Sequence, residues 1–270
     1  MSLRGKSDEY MAIKYDRIGS GYNRTRKADP YLLGRMLYHL APQPNGQYLD
    51  VGCGTGNYTN ALAQQGFKLT GVDPSEAMLT KAWMQSANIN WLKGKAENLD
   101  LPKQFFDGIN ASLTIHHWDD LAQAFRELYR VLKPGGKLVV FTSTPTQMRG
   151  YWLCHYFPKM LADSISQMPE LDKVERAIKM AGFQNIRQEP YEIQHDLKDL
   201  FLYCGKNQPE RYFEEAIRQG ISSFSDLANQ TEVEAGLHKL KADLASGAFK
   251  EIQSTYRNQL GDYLFITATK

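Results

Sequence analysis

Two acids bracket a run of glycines in this sequence: Leu49-Asp50-Val51-Gly52-Cys53-Gly54-Thr55-Gly56, then Asp73 at the end of the next apolar run, KLTGVD. Glycine at alternate positions lets the backbone turn sharply and lets a ligand approach with no Cβ in the way. An acid closing the second strand, about twenty residues on, has the lone pairs to accept both hydroxyls of a ribose. The spacing G-x-G-x-G differs from the G-x-G-x-x-G that seats a pyrophosphate at a helix N-terminus. Asp50, just before the glycines, repels a pyrophosphate and suits a cation such as a sulfonium or an α-ammonium. Taken alone, the glycines also fit a tight strand-to-helix turn with no ligand.

A second constellation is His116-His117-Trp118, directly after the apolar run FDGINAS. Imidazole titrates in the range a general base needs at neutral pH, provided the nucleophile carries a proton. The same two histidines also fit a structural role, capping the following helix or packing beneath a lid. Further along, Arg149 to Phe157 is dense in rings: Tyr151, Trp152 and His155 are candidates for the wall of an acceptor pocket, and equally for the buried face of a helix.

The elements that must position these groups follow from hydrophobic periodicity. From 47 to 141 short apolar runs alternate with amphipathic stretches, the pattern of βα units on a parallel sheet. Helices are predicted over 57–65, 75–86 and 120–132, with Lys133-Pro134-Gly135-Gly136 separating the last from strand KLVVFT. Beyond it the spacing predicts a helical, aromatic region over 148–168, a helix over 171–181 ended by Gly182, a strand FQNIRQEPYEI and a final strand GDYLFITATK. Between those two strands lies far more chain than a hairpin requires, and it reads as a helical lid. The expected organisation is an N-terminal helical gate over 1–44, an α/β core over 45–145, and completion of the sheet over 146–270 with a cap inserted around 197–258.

In succession, Asp50 to Gly56, Asp73, Gly94-Lys95-Ala96-Glu97-Asn98-Leu99 and Leu132-Lys133-Pro134-Gly135-Gly136 resemble the motifs of class I S-adenosylmethionine-dependent methyltransferases, over roughly residues 45–145. The resemblance implies a Rossmann-like, seven-stranded, mostly parallel sheet with an antiparallel last strand. It implies S-adenosylmethionine as cofactor, with Gly52, Gly54 and Gly56 facing its methionine part. Asp73 would take the ribose hydroxyls with Pro74 beside it, Ala96 and Glu97 would flank the adenine, and Ser112 would stand at the tip of the fourth strand. Glu97 also reads as a solvated loop acid. Similar small-molecule enzymes close an N-terminal helix over the cofactor, which makes Tyr15 and Tyr22 candidates for the substrate side; Trp118 is another, from its place directly after the fourth strand, near the transferred methyl group. Arg26 is the candidate clamp for the methionine carboxylate, with Arg24 close by and a plain surface cation as the other reading.

A formal charge of +2, from 32 basic and 30 acidic side chains, gives no electrostatic footprint for nucleic acid. Cys53, Cys154 and Cys204 are few and scattered, without CxxC spacing, so neither a disulfide framework nor a metal site is expected, and a reducing, cytoplasmic compartment is. No apolar run approaches a membrane span, and the start MSLRGKSDEY lacks the apolar stretch of a signal peptide. The expectation is therefore a monomeric or homodimeric transferase that moves a methyl group to a small molecule by in-line displacement. The alternatives are a regulatory protein that binds the cofactor without turnover, or a methyltransferase of RNA or protein. A dehydrogenase is the rival that the glycine spacing disfavours.

Overall fold

The computed structural model describes residues 25–270 as a sheet of order β3-β2-β1-β4-β5-β7-β6, so Tyr15 and Tyr22 lie outside the described residues. The strands are β1 Gln47–Val51, β2 Lys68–Asp73, β3 Asn90–Lys93, β4 Phe106–Ser112, β5 Leu132–Thr142, β6 Gln184–Tyr191 and β7 Tyr263–Thr269. Strands β1 to β5 pair in parallel, and β7 runs antiparallel to both β5 and β6. This is the Rossmann-like arrangement that the resemblance implies, on the parallel core expected from the repeats. Strand order reverses between β1 and β4, the point where open α/β sheets hold their ligands.

Alternate residues of a strand reach opposite faces, and both faces here are covered. Along β5, Leu138 and Val140 enter one core while Val139 and Phe141 enter the other. Along β7, Leu264, Ile266 and Ala268 join the first, and Tyr263 and Phe265 the second. That two-sided burial is why these strands read as unbroken apolar runs. Helices Leu121–Val131 and Leu171–Ala181 pack on each other over the first face. Asp120 caps the former by accepting the Gln123 amide at 2.9 Å, and Gly182 ends the latter at φ 108°, a left-handed turn that glycine adopts without a Cβ clash.

The Lys133-Pro134-Gly135-Gly136 turn departs from expectation. It does not precede the strand but is absorbed into it: Leu132, the first residue after the helix, already pairs with Phe106, and the register slips before Gly108. The turn is held from outside, Gly135 N donating to Lys270 O at 2.8 Å and Lys270 N to Gly136 O at 3.0 Å.

The second face is buried under helix Pro30–Leu40 and a cap drawn from two stretches. One follows β5, with helices Pro145–Arg149, Leu153–Tyr156 and Pro158–Gln167; the other, 192–262, joins β6 to β7 and holds helices Gln230–Ser246 and Phe249–Thr255. This second stretch leaves and rejoins the sheet at paired residues, Tyr191 opposite Tyr263. Trp152 sits at the centre of the cap, fully buried, with Tyr156, Tyr212 and Phe249 around it edge to face at 5.8, 5.6 and 5.0 Å. The rings that the sequence offers as a pocket wall are thus the cap's own core. A stretch whose backbone lies above the sheet needs aromatic bulk to bury itself there. Among the described residues, no helix is long and apolar enough to cross a membrane.

Candidate functional site

Above the C-terminal ends of the parallel strands the fold encloses a cavity of about 1010 Å³. The glycine loop and Asp73 form one end of it. β2 ends in Asp73, whose Oδ2 accepts the Gly54 amide at 2.8 Å while Oδ1 accepts that of Ser75 at 2.9 Å. Each oxygen keeps a lone pair for a ligand hydroxyl. Asp50 is fixed from two elements: Thr59, on helix Asn57–Ala63, donates to its Oδ2 at 2.6 Å and Asn110, on β4, to its Oδ1 at 2.8 Å, and Asn110 in turn reaches Ser112 Oγ at 3.1 Å. The register places Asn110 directly across from Asp50, so strand pairing builds this chain of bonds.

Both acids are buried on the cavity wall and neither has an ion pair to a described basic residue. Burial pushes the Asp50 carboxyl up to about 6; its two hydrogen bonds oppose the rise, and the charge of Asp73 adds to it. Burial raises Asp73 as well, against the amides of Ser75 and Gly54. Two desolvated acids without a cation make a wall that a cationic ligand relieves. A sulfonium nucleoside fits this chemistry, and the Asp73 oxygens are set for its ribose.

The three glycines have three different reasons. A Cβ on Gly52 would overlap the Thr114 side chain, and one on Gly56 would run into the Trp91 ring; at Gly54 no described atom lies within 4 Å. Gly54 alone opens on space, while Gly52 and Gly56 make room for protein. Gly56 moreover is absent from the cavity wall, though its neighbours Thr55 and Asn57 line it.

Arg26, Asp50, Gly52, Gly54, Asp73, Pro74, Ala96, Glu97, Ser112, His116, His117 and Trp118 all border the cavity. Several carry bonds of their own. Glu97 Oε1 accepts the Asp119 amide at 2.7 Å, so this carboxylate anchors the loop after the histidines. His116 and His117 lie in a single 3-10 turn, Ile115–His117, with ring centroids 3.9 Å apart. Trp118 packs edge to face on Phe125 at 5.3 Å. Arg26 faces buried Asp199, which also accepts the Tyr58 hydroxyl at 3.1 Å. The guanidinium expected to clamp a carboxylate from the ligand is thus already paired with one from the cap.

Tyr151, Trp152 and His155 do not reach the cavity. Tyr151 is stacked on Tyr203 at 4.0 Å and donates to the Asp262 carbonyl, and His155 packs against Tyr156 and Tyr256. The far wall belongs instead to residues sequence reasoning passed over: Ser143 and Tyr263 at the adjoining ends of β5 and β7, Ser164 and Met168 after β5, and Phe201 and Ile221 from the insertion. Ser143 was within reach of the sequence, since it follows the tip of the fifth strand. Nothing local marks the rest, because their side of the chain is decided by cap packing.

Residues 49–140 match the model of a methyltransferase domain. The chain belongs to the class I S-adenosylmethionine-dependent methyltransferases. Over 162 residues it is 31% identical to the demethylmenaquinone methyltransferase of Chlorobaculum tepidum, covering 53% of this chain and 67% of that protein. Over 110 residues it is 38% identical to the malonyl-[acyl-carrier protein] O-methyltransferase of Pectobacterium atrosepticum, covering 40% and 44%. A crystal structure from Anabaena variabilis, described as a putative methyltransferase from an antibiotic biosynthesis pathway, superposes with a TM-score of 0.80 at 33% identity, over 91% of this chain and 99% of that one.

Proposed function

We propose that this enzyme methylates a small molecule held in the half of the cavity over β4, β5 and β7, with the donor held over β1, β2 and β3. The observation that carries this reading is the continuity of the cavity: one space runs from the Asp50 and Asp73 wall, past His116 and His117, to Phe141, Ser143 and Tyr263. When bound, S-adenosylmethionine supplies a sulfonium methyl group open to displacement by an acceptor lone pair. Asp73 orients the ribose through the two oxygens that Gly54 and Ser75 leave half-satisfied. Asp50, buried and negative at neutral pH, favours positive charge beside the glycine loop. Because displacement needs close in-line approach, holding donor and acceptor in one cavity contributes most by orientation. His116 or His117 takes the proton where the accepting atom carries one.

The relatives support a small acceptor: one is named for a quinone precursor, the other for a carrier-bound acyl group. The enclosing cap of 192–262 favours the free molecule over a protein surface or a folded RNA. Incubation with methyl-labelled S-adenosylmethionine and a fractionated metabolite extract tests the reading. Label is expected in the low-molecular-weight fraction; label only in protein or RNA, or none at all, sinks it.

A further inference from the structure

The half of the cavity beyond β4 differs from the donor half in kind. Its apolar wall is built by Phe141 and Tyr263 from the sheet and by Met168, Phe201, Ile221 and Leu227 from the two stretches of the cap, with Gln167, Ser222 and Ser223 also on the cavity lining. The ionic groups near it are Arg26 and Asp199, and these are bonded to each other. Ser143, at 4% exposure, has its hydroxyl tied to Tyr151 at 2.8 Å. Ser164 stands apart. It lines the cavity from the middle of helix Pro158–Gln167, is 5% exposed, and its Oγ has no hydrogen-bond partner among the described residues.

A hydroxyl buried without a partner is rare in native proteins, since the lost hydration is not replaced. Ser164 is also held firmly in place. Glu232, from helix Gln230–Ser246, accepts the amides of Lys159 and Met160 at 2.7 and 3.2 Å, so the exposed N-terminus of the serine's helix is capped by the insertion. Phe157, just before that helix, packs edge to face on Phe224 at 5.0 Å. The unpaired hydroxyl therefore belongs to a helix anchored at its N-terminus, on a residue that borders space large enough for a ligand.

We infer that the acceptor is an uncharged, mainly apolar molecule bearing one hydroxyl or carbonyl group, and that Ser164 selects it by hydrogen-bonding that group. This rests on the methyl-transfer reading for what happens to the molecule, but not for its chemistry. A carboxylate, phosphate or ammonium entering this half gives up its hydration and meets, among the described residues, no opposite charge that is not already paired. An apolar body meets the six apolar side chains named above, and its one polar group satisfies Ser164.

Four naphthalene probes test this by fluorescence titration of the protein saturated with S-adenosylhomocysteine: 2-naphthol, 2-methylnaphthalene, 2-naphthoate and 2-naphthylmethylammonium. The naphthol is expected to bind at least about tenfold more tightly than either ion, an affinity ratio equivalent to about 1.4 kcal/mol. In Ser164→Ala the naphthol is expected to lose about three- to tenfold, the range of one net hydrogen bond, while the hydrocarbon binds unchanged. Unaltered S-adenosylhomocysteine binding in that variant establishes that the fold is intact. Equal or tighter binding of either ion, no binding of the two neutral probes, or a naphthol affinity indifferent to Ser164→Ala overturns the proposal. These readouts need no turnover, so an absence of label transfer counts against the methyl-transfer reading alone.

Discussion

Thr114 occupies the space into which a side chain at Gly52 would project: a Cβ there would overlap both Oγ1 and Cβ of the threonine. The glycine loop and the turn that carries His116 and His117 are therefore packed backbone against side chain, and the two parts of the site share one contact. Gly52→Ala, at φ 71°, combines that clash with a left-handed backbone, and is expected to cost about 2–4 kcal/mol of stability. Urea unfolding measures it. Thr114→Gly in the same chain is expected to restore part of the loss, whereas additive effects of the two changes would dissociate the contact from the cost.

Gly54→Ala separates ligand space from protein space. It meets no described protein atom, so its stability loss is limited to the backbone strain of about 1–2 kcal/mol. Cofactor affinity, measured by calorimetry with S-adenosylhomocysteine, is expected to fall more steeply than stability. The reverse ranking would place the ligand elsewhere.

Under the proposed reading, Asp50 is expected to make donor binding depend on pH. Its folded value of about 6 lies above that of the unfolded chain, so the proton is held more tightly in the fold. The stability it contributes is fully present below the unfolded value, near 4, and is lost as pH rises through about 6. At pH 7 the buried carboxylate then costs about 3 kcal/mol, at roughly 1.4 kcal/mol for each tenfold gain in proton affinity on folding. A cation bound beside it recovers part of that cost. S-adenosylmethionine affinity is accordingly expected to drop between pH 7 and pH 5, and that of the neutral thioether S-adenosylhomocysteine to drop less. Parallel titration curves for the two would remove Asp50 from the sulfonium site.

The Arg26 and Asp199 pair ties the segment before the first described helix to the cap, reinforced by Leu200 N donating to Thr25 O and Lys198 N to Asp29 Oδ2, both at 2.9 Å. Asp199→Ala leaves a part-buried guanidinium and the Tyr58 hydroxyl without this partner, and a loss of about 3 kcal/mol is expected in urea. Arg26→Lys is expected to behave similarly, since an ammonium does not reproduce the two-pronged contact.

Trp152 tests the distinction between wall and core. Trp152→Ala is expected to lose about 3–5 kcal/mol. The milder Trp152→Phe should lower Tm while leaving 2-naphthol affinity near that of the parent. A selective loss of probe binding with unchanged Tm would return the residue to the pocket.

The sheet was legible because its strands are buried on both faces, so Leu138 to Phe141 and Leu264 to Ile266 need no partner information to be read. Helix 171–181 was legible for a different reason, as Gly182 stops it chemically. The glycine loop was legible as a loop but not in its logic, because Trp91 and Thr114, which explain Gly56 and Gly52, lie a strand or more away. The cap was least legible. Whether Trp152 faces a ligand or a phenylalanine depends on Phe249, and the partner of Arg26 lies 173 positions along the chain. Ser164 carries no local signal at all: a serine on an amphipathic helix is unremarkable until the space beside it is known.

Tyr191 and Tyr263 face each other across one rung of the β6–β7 ladder, and everything from 192 to 262 is strung between them. The ends of this stretch are thus clamped side by side by strands that stay paired whatever is inserted, and closing a longer or shorter loop there changes the entropy of closure only slowly with length. The fold accordingly behaves as a socket with a replaceable fitting. Under the proposed reading, exchange of the segment that carries Phe201, Ile221 and Leu227 leaves Asp50, Gly54 and Asp73 untouched on the far side of the sheet's reversal, so that donor chemistry and acceptor taste would diverge independently in this architecture.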